Sequence, residues 1–128
     1  MAIVVNGGAT LVGGTSVSSP IVAAMFALLN QVSVAKTGKS LGFLSPLIYQ
    51  MYAADPTIFQ DITVGDNKCT EGGCASSCQG YTCVKGFDPV TGLGSLNFGK
   101  AKVYIEKMLD DIVAKRTIKS AKEDIAIM

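Results

Sequence analysis

The residues with the clearest chemical potential are Gly13-Gly14-Thr15-Ser16, which stand between a β-branched segment and an apolar one of helical pattern. A serine in the first turn of a helix lies beside free backbone N–H groups and the positive end of the helix dipole. Such a position stabilises both a nucleophile and a developing oxyanion. The two glycines permit a sharp turn and a close approach of substrate. The same residues also fit a simpler interpretation, in which Ser16 or Ser18 only caps the helix.

Histidine is absent from all 128 residues. A Ser-His-Asp or Cys-His enzyme cannot be complete within this chain, because both need an imidazole base. The length allows one domain of ordinary size. A charged fraction of 16% and a net charge of +1 argue against a disordered chain and against a nucleic-acid partner. The apolar stretch Ile21–Leu29 is far shorter than the ~20 residues that span a bilayer, so we expect no membrane span.

All four cysteines and a net excess of acidic residues lie in the Gly-rich middle of the chain. Residues 1–54 contain no acid, whereas residues 55–99 contain five acids and two bases, a balance that favours a cation site there. We interpret the four cysteines as two disulfides, in preference to free thiols or to a zinc site, which usually shows a C-x2-C knuckle. The sequence leaves all three pairings open, and disulfides imply an oxidising compartment. The four cysteines are Cys69, Cys74, Cys78 and Cys83.

The elements that must position these residues follow from periodicity and turn signals. Two β-branched runs around Asn6-Gly7 predict a hairpin within Ala2–Gly14. A helix that is apolar on nearly every face follows from Val17, and such a helix belongs inside a protein. We also predict a short helix with Ser45 as N-cap and Pro46 at its first position, then an irregular segment and an amphipathic helix. These three cover Leu44–Ala54, Asp55–Asn97 and Lys100–Ile127.

Four segments in this order resemble the sedolisin family of serine-carboxyl peptidases, which includes lysosomal tripeptidyl peptidases. Each segment alone is modest evidence, but together they extend over about three-quarters of the chain. Subtilisin relatives also place Gly-Thr-Ser before a buried helix, usually with Pro-His where this chain has Pro20-Ile21, so they match less well. The segments are GTSVSSP at 14–20, LGFLSPLIY at 41–49, FQDITVGDN at 59–67 and GFDPVTGLG at 86–94.

The resemblance implies an α/β, subtilisin-like three-layer fold, present here as an incomplete C-terminal part with the nucleophile helix and the calcium-binding loop region. Residues 1–99 would be this part of the peptidase domain, and residues 100–128 a C-terminal amphipathic helix and tail. Ser16 matches the family's nucleophile. The family's base is a glutamate with an aspartate behind it, a second aspartate lies at the oxyanion, and all three precede the serine. None of the fifteen residues before Ser16 is acidic, so we expect this chain alone to be inactive and the upstream remainder of the domain to be its partner.

The resemblance also implies one Ca²⁺ ion. Its ligands would be the carboxylates of Asp61 and Asp88 and the backbone carbonyls of Ile62, Val84 and Gly86, with water completing the shell. Family members usually have glycine where Val84 stands, and a carbonyl ligand survives this change if valine adopts the local backbone angles. Taken without the resemblance, the two aspartates also fit turn or cap residues.

These observations predict a serine-type peptidase that cleaves peptides or proteins at acidic pH through an acyl-enzyme on Ser16. Endopeptidase and tripeptidyl-peptidase activities both fit. A lysosomal or extracellular location is expected, although no signal is present in this chain. The alternative is a catalytically inactive calcium-binding remnant or interaction module. A small cysteine-stapled binding domain would leave the four ordered segments unexplained.

Overall fold

The computed structural model describes residues 1–70 and 78–126, with side chains described as far as residue 119. The chain divides into two compact units. One comprises Met1–Gly42 and Ile105–Met128, and the other comprises Phe43–Tyr104. The division at residue 99, between a peptidase part and a C-terminal helix, stays a prediction.

The chain begins with the expected hairpin. Strand β1 (Ala2–Val5) pairs antiparallel with β2 (Gly8–Leu11), and Val5 faces Gly8 across a two-residue loop. Both loop residues have positive φ, 51° at Asn6 and 79° at Gly7, as the tight hairpin turn that matches strand twist requires. The predicted hairpin is confirmed, and most of its side chains are exposed.

Helix α1 (Thr15–Thr37) begins two residues before the predicted start and ends at Gly38, which adopts the left-handed conformation. It buries Phe26, Leu29 and Ser33. Its length and hydropathy would suffice for a bilayer crossing, a test that core helices of soluble proteins also pass. Within the described residues it is the one helix that meets this test. Only 17% of its most apolar stretch is buried, so much apolar surface remains uncovered.

The unit of residues 43–104 holds helix α2 (Leu44–Ala54), whose bounds agree with the prediction. The predicted cap is wrong, because extended Phe43 is the N-cap residue and Ser45 lies inside the first turn. Pro46 is tolerated there, since N–H groups of the first turn have no intrahelical acceptor. A 3₁₀ turn at Pro56–Ile58 leads into β3 (Phe59–Gln60).

Strand β3 pairs antiparallel with β4 (Ser95–Leu96), which brings together two ends of the irregular segment. The apolar core of this unit comes from α2, the 3₁₀ turn, the loop before β4 and the first turn of the last helix. Its fully or nearly buried members include Leu47, Met51, Ile58, Phe59, Leu93 and Ala101.

Helix α3 (Phe98–Ala126) covers the predicted amphipathic helix and begins two residues earlier. Its start is set by Asn97, whose side-chain oxygen accepts a hydrogen bond from the Lys100 N–H at 3.1 Å. Helices and two-stranded sheets of this kind are compatible with part of an α/β peptidase domain. The complete subtilisin-like architecture stays a prediction.

Candidate functional site

Ser16 is the second residue of α1, and its side chain is exposed. Gly14 precedes the helix with φ 115° and ψ 171°, a conformation that residues with a β-carbon rarely adopt. The carbonyl of Gly14 then accepts hydrogen bonds from the N–H groups of Val17 at 3.0 Å and Ser18 at 3.3 Å. The glycine conformation therefore sets where the helix begins and presents Ser16 in its first turn.

No side chain caps the N-terminus of α1. The interpretation in which Ser16 or Ser18 serves as the helix cap is therefore wrong. The hydroxyl of Ser18 donates to the Gly14 carbonyl at 3.4 Å instead. Among the described residues, no acceptor bonds the backbone N–H of Thr15 or Ser16. The result is an exposed hydroxyl beside two unoccupied N–H donors, which is the local arrangement that an oxyanion needs.

Proton-handling groups are the missing element around Ser16. The part of the chain that the structure describes contains no hydrogen bond from Ser16 to a carboxylate. Within the same unit, Asp110 forms an ion pair with Lys36 at 2.5 Å. Among the described residues, the arrangement offers an exposed hydroxyl and backbone N–H donors without acceptors, and no carboxylate is bonded to Ser16.

A second cluster is organised by Asp88, which is only 1% exposed. Its Oδ1 accepts hydrogen bonds from the N–H groups of Val90 at 2.9 Å and Thr91 at 2.8 Å, and its Oδ2 accepts one from the Val84 N–H at 3.2 Å. The Thr91 hydroxyl contacts both oxygens. These bonds, led by that from the Thr91 N–H, lower the pKa of Asp88 against the opposing effect of burial.

Asp61 joins the same loop from the end of β3. Its Oδ2 accepts a hydrogen bond from the Gly86 N–H at 2.9 Å, whereas its Oδ1 is buried without a hydrogen-bond partner. The segment from Val84 to Gly86 thus donates to both predicted carboxylate ligands. Ile62 follows Asp61 directly, so the structure brings all five sequence-predicted residues into one loop cluster.

An unpartnered buried carboxylate oxygen fits a cation ligand, because burial without a partner costs free energy that a bound ion offsets. The candidate donors are all oxygens, as a hard cation prefers. Among described residues, no three His, Cys, Asp or Glu side chains converge. Coordination here would therefore depend on backbone carbonyls and water in addition to carboxylates.

The cysteines only partly follow the prediction of two disulfides. Cys69 and Cys78 form a disulfide, while Cys83 is a buried free thiol. A second bridge through Cys83 is therefore not formed, and Cys74 lies outside the described residues. Burial raises the pKa of the Cys83 thiol, and the charges of Asp88 and Asp66 add to this effect.

The sequence did not lead us to predict the structural roles of two loop residues, Thr91 and Gly94. Thr91 is the main partner of Asp88, and the spacing Asp88-Pro89-Val90-Thr91 is a recognisable turn signal in which an Asp side chain bonds backbone N–H groups ahead of it. Gly94 has φ 89°, and a β-carbon there would overlap the Gln60 carbonyl group. Its role depends on a close approach between distant residues, which no local motif reveals.

Comparison with curated proteins finds extensive similarity. Physarolisin of Physarum polycephalum is 46% identical over 106 residues, which cover 83% of this chain and 18% of that protein. Kumamolisin of Bacillus sp. (strain MN-32) is 41% identical over 93 residues, covering 73% and 15% respectively. Tripeptidyl-peptidase 1 of Dictyostelium discoideum is 38% identical over 95 residues, covering 73% and 15%.

These relatives are sedolisin family members. A scan of protein-family models finds none that matches. The chain spans less than a fifth of the length of the three relatives. The identities over most of this chain confirm the resemblance seen in its motifs. The chain therefore belongs to the sedolisin family and matches its members over part of their length.

Proposed function

We propose that this chain supplies the nucleophile and a cation-binding loop of a serine-carboxyl peptidase that cleaves peptide bonds at acidic pH. Ser16 attacks the scissile carbonyl and gives its proton to the carboxyl base, the peptide C–N bond breaks, and the amine product leaves with that proton. The acyl-enzyme on the Ser16 oxygen is then hydrolysed by water. The backbone N–H of Ser16 contributes to stabilising the oxyanion. Endopeptidase and tripeptidyl-peptidase activities both fit this proposal, with peptides or proteins as substrates.

The observation that carries the proposal is the geometry at the start of α1. An exposed serine beside unoccupied backbone donors, after a glycine in a conformation that other residues rarely adopt, is more than a helix cap requires. The family resemblance assigns the Ser16 proton to a glutamate elsewhere in the domain, and this chain has no histidine of its own that could take it. A carboxyl base suits acidic pH, where an imidazole would stay charged. Such a setting fits a lysosomal or extracellular location.

The exposed apolar side chains of the hairpin and α1 indicate that another protein surface covers this part of the chain. Val4, Leu11 and Ile21 are among the exposed large apolar side chains of the hairpin and α1, with Val4 at 74% and Leu11 at 83% exposure. Exposed apolar area of this kind favours burial against another protein surface. We propose that the remainder of a sedolisin-type domain, which carries the glutamate and the two aspartates, covers it.

The loop of Asp61 and Asp88 is proposed to hold one Ca²⁺ ion. Asp61 would donate its unpartnered Oδ1, and the carbonyls of Ile62, Val84 and Gly86 would supply further oxygens. The oxygens of Asp88 already accept hydrogen bonds from the loop, so this carboxylate also stabilises the loop when no ion is bound. The ion would supply positive charge that keeps the carboxylates together. This site also favours the second candidate function, a calcium-binding module without catalytic activity.

A hybrid enzyme tests the peptidase proposal and separates it from that alternative. The matching segment of physarolisin is replaced by residues 1–99, and peptide hydrolysis is measured at acidic pH. We expect activity in the hybrid and a loss of at least about 10³-fold in kcat/KM for S16A, because covalent catalysis needs the hydroxyl.

S18A is the matched control, since Ser18 lies one residue beyond Val17 in the same turn and its hydroxyl contacts only the Gly14 carbonyl. We expect its kcat/KM to stay within a few-fold of the hybrid. Equal activity of S16A and the hybrid would contradict the proposal. The 128-residue chain by itself should show no peptide hydrolysis between pH 4 and 7. If it hydrolysed peptides and S16A abolished this activity, Ser16 would not need carboxyl groups from outside the chain.

A further inference from the structure

A cavity of about 150 Å³ lies within the unit of residues 1–42 and 105–128, away from Ser16 at the other end of α1. Its apolar wall combines the loop after α1 with one side of α3. The apolar lining residues are Leu41, Met108, Leu109 and Ile112. The volume is sufficient for a group the size of a benzene ring, and the remaining lining residues, Ser33, Thr37, Lys39, Ser40 and Arg116, are polar or charged.

The uncharged polar groups in this cavity are largely occupied by each other. The Ser33 hydroxyl donates to the Lys39 carbonyl at 2.8 Å, and the Thr37 hydroxyl donates to the Ser33 carbonyl at 2.9 Å. The Lys39 N–H in turn donates to the Thr37 hydroxyl at 3.2 Å. These bonds occupy the Ser33 and Thr37 hydroxyls and the carbonyls of Ser33 and Lys39. They leave the charged side chains as the main groups that can select a ligand.

Among the described residues, all charges that line the cavity are positive. Lys39 and Arg116 are the charged lining residues, and both are exposed at the cavity. The nearby acid Asp110 is engaged with Lys36 in the ion pair at 2.5 Å, and it does not line the cavity. An apolar wall next to two cations is complementary to a ligand with an apolar body and a negative charge.

We propose that this cavity binds a small carboxylate with an apolar body, the chemistry shared by a free aromatic or branched acid and by the C-terminal residue of a hydrophobic peptide. The apolar group contacts Leu41, Met108 and Ile112, while Arg116 and Lys39 bind the carboxylate. Guanidinium geometry suits a carboxylate through two parallel hydrogen bonds. This site is independent of the peptidase proposal, because none of its residues belongs to the Ser16 segment or the aspartate loop.

Methyl NMR on the full 128-residue chain tests the proposal with benzoate and its neutral analogue benzamide. We expect benzoate to shift the methyl signals of Met108, Leu41 and Ile112, with an affinity about five- to tenfold above that of benzamide, since two exposed charge pairs contribute modestly. R116Q and K39Q should each weaken benzoate binding about two- to fivefold and leave benzamide unchanged. Added salt should reduce the difference between the two probes.

K115Q is the matched control, because Lys115 precedes Arg116 on α3 but does not line the cavity. It should leave both affinities unchanged. N-acetylphenylalanine distinguishes the two sources of the ligand, since tighter binding than benzoate assigns the site to peptide C-termini and weaker binding to free acids. Equal affinities for benzoate and benzamide, or no shift of the three methyl signals by either probe, would overturn the proposal.

Discussion

The two candidate sites differ in how much of their surroundings the chain itself supplies. Ser16 is exposed at the start of α1, beside N–H groups without acceptors and near exposed apolar side chains. Asp88 is buried, and both of its oxygens accept hydrogen bonds from residues 84–91. One site is open on almost every side, whereas the other is closed by its own loop.

This difference separates two ways of building a site. The Ser16 segment is defined by backbone conformation, so it presents the proposed nucleophile without the carboxyl groups that the proposal requires. The aspartate loop is defined by side chain to backbone hydrogen bonds, which make a rigid local structure. We expect changes in the loop to alter the stability of the chain, and changes at Ser16 to alter only activity in a complete active site.

The largest expected effect is at Gly94. In G94A the new β-carbon would overlap the Gln60 carbonyl and lie 2.8 Å from its carbon, in backbone that cannot easily move because β3 pairs with β4 there. We expect a loss of more than about 3 kcal/mol in the free energy of unfolding, from strain and overlap together. Urea unfolding of the chain measures it.

G92A is the control for this substitution, because Gly92 also has positive φ but a β-carbon there meets nothing within 4 Å. Its cost should be limited to the conformational strain of about 1–2 kcal/mol. Equal losses for G92A and G94A would show that the approach to Gln60 does not constrain the loop.

The next effect concerns Asp88 and pH. Because hydrogen bonds lower its pKa in the folded chain, its contribution to stability is fully present above the ordinary value of 3.8 and is lost as pH falls through the lowered folded value. D88N should lower the thermal midpoint at pH 6 and remove this part of the acid dependence. D55N provides the comparison, since Asp55 is exposed and bonds only Thr57. A similar decrease of the thermal midpoint in both variants would contradict the interpretation that Asp88 holds the loop of residues 84–91 together.

Calcium binding should change the stability of the chain by an amount similar to or smaller than the effect of D88N. At a concentration of 100 times Kd, one ion stabilises the folded chain by about 2.7 kcal/mol, and scanning calorimetry with and without EDTA detects this. D61N should remove the response and lower stability in EDTA by less than the calcium effect, because the amide oxygen can still accept the Gly86 hydrogen bond and Oδ1 of Asp61 has no partner to lose. An unchanged calcium response in D61N would remove Asp61 from the site.

The smallest effect is expected in the other unit, at the ion pair of Lys36 and Asp110. Both side chains are partly exposed, at 31% and 65%, so solvent screens their attraction. A double-mutant cycle with K36Q and D110N should give a coupling of about 0.2–1 kcal/mol that decreases with salt. A coupling as large as the calcium effect would show that this unit is also held by specific polar contacts.

Local signals predicted the elements well. Asn6-Gly7 predicted the hairpin because both residues tolerate the positive φ of its turn, and the bounds of α2 followed from its apolar run. The N-cap of α2 was predicted wrongly. Ser45 satisfied a composition rule, but the preceding extended Phe43 determines where the helix begins.

Contacts between distant residues could not be predicted from local patterns. The pairing of Phe59 with Leu96 joins two segments across the irregular region, and Gly94 has meaning only beside Gln60. The candidate calcium ligands were predicted from a family resemblance. The hydrogen bonds of Asp88 belong to a local turn that the spacing from Asp88 to Thr91 indicates. The unpartnered oxygen of Asp61 depends on burial, which the sequence does not encode in one motif.

The hydrogen bonds of Asp88 also bear on the order of folding. All of its donors lie within four residues of it in sequence, so the loop closes at low cost in chain entropy. Pairing of β3 with β4 must instead bring together Phe59 and Leu96, which are 37 positions apart, and this is slower for a flexible chain. We expect the turn at Asp88 to form early and to shorten the remaining search for the β3–β4 pairing.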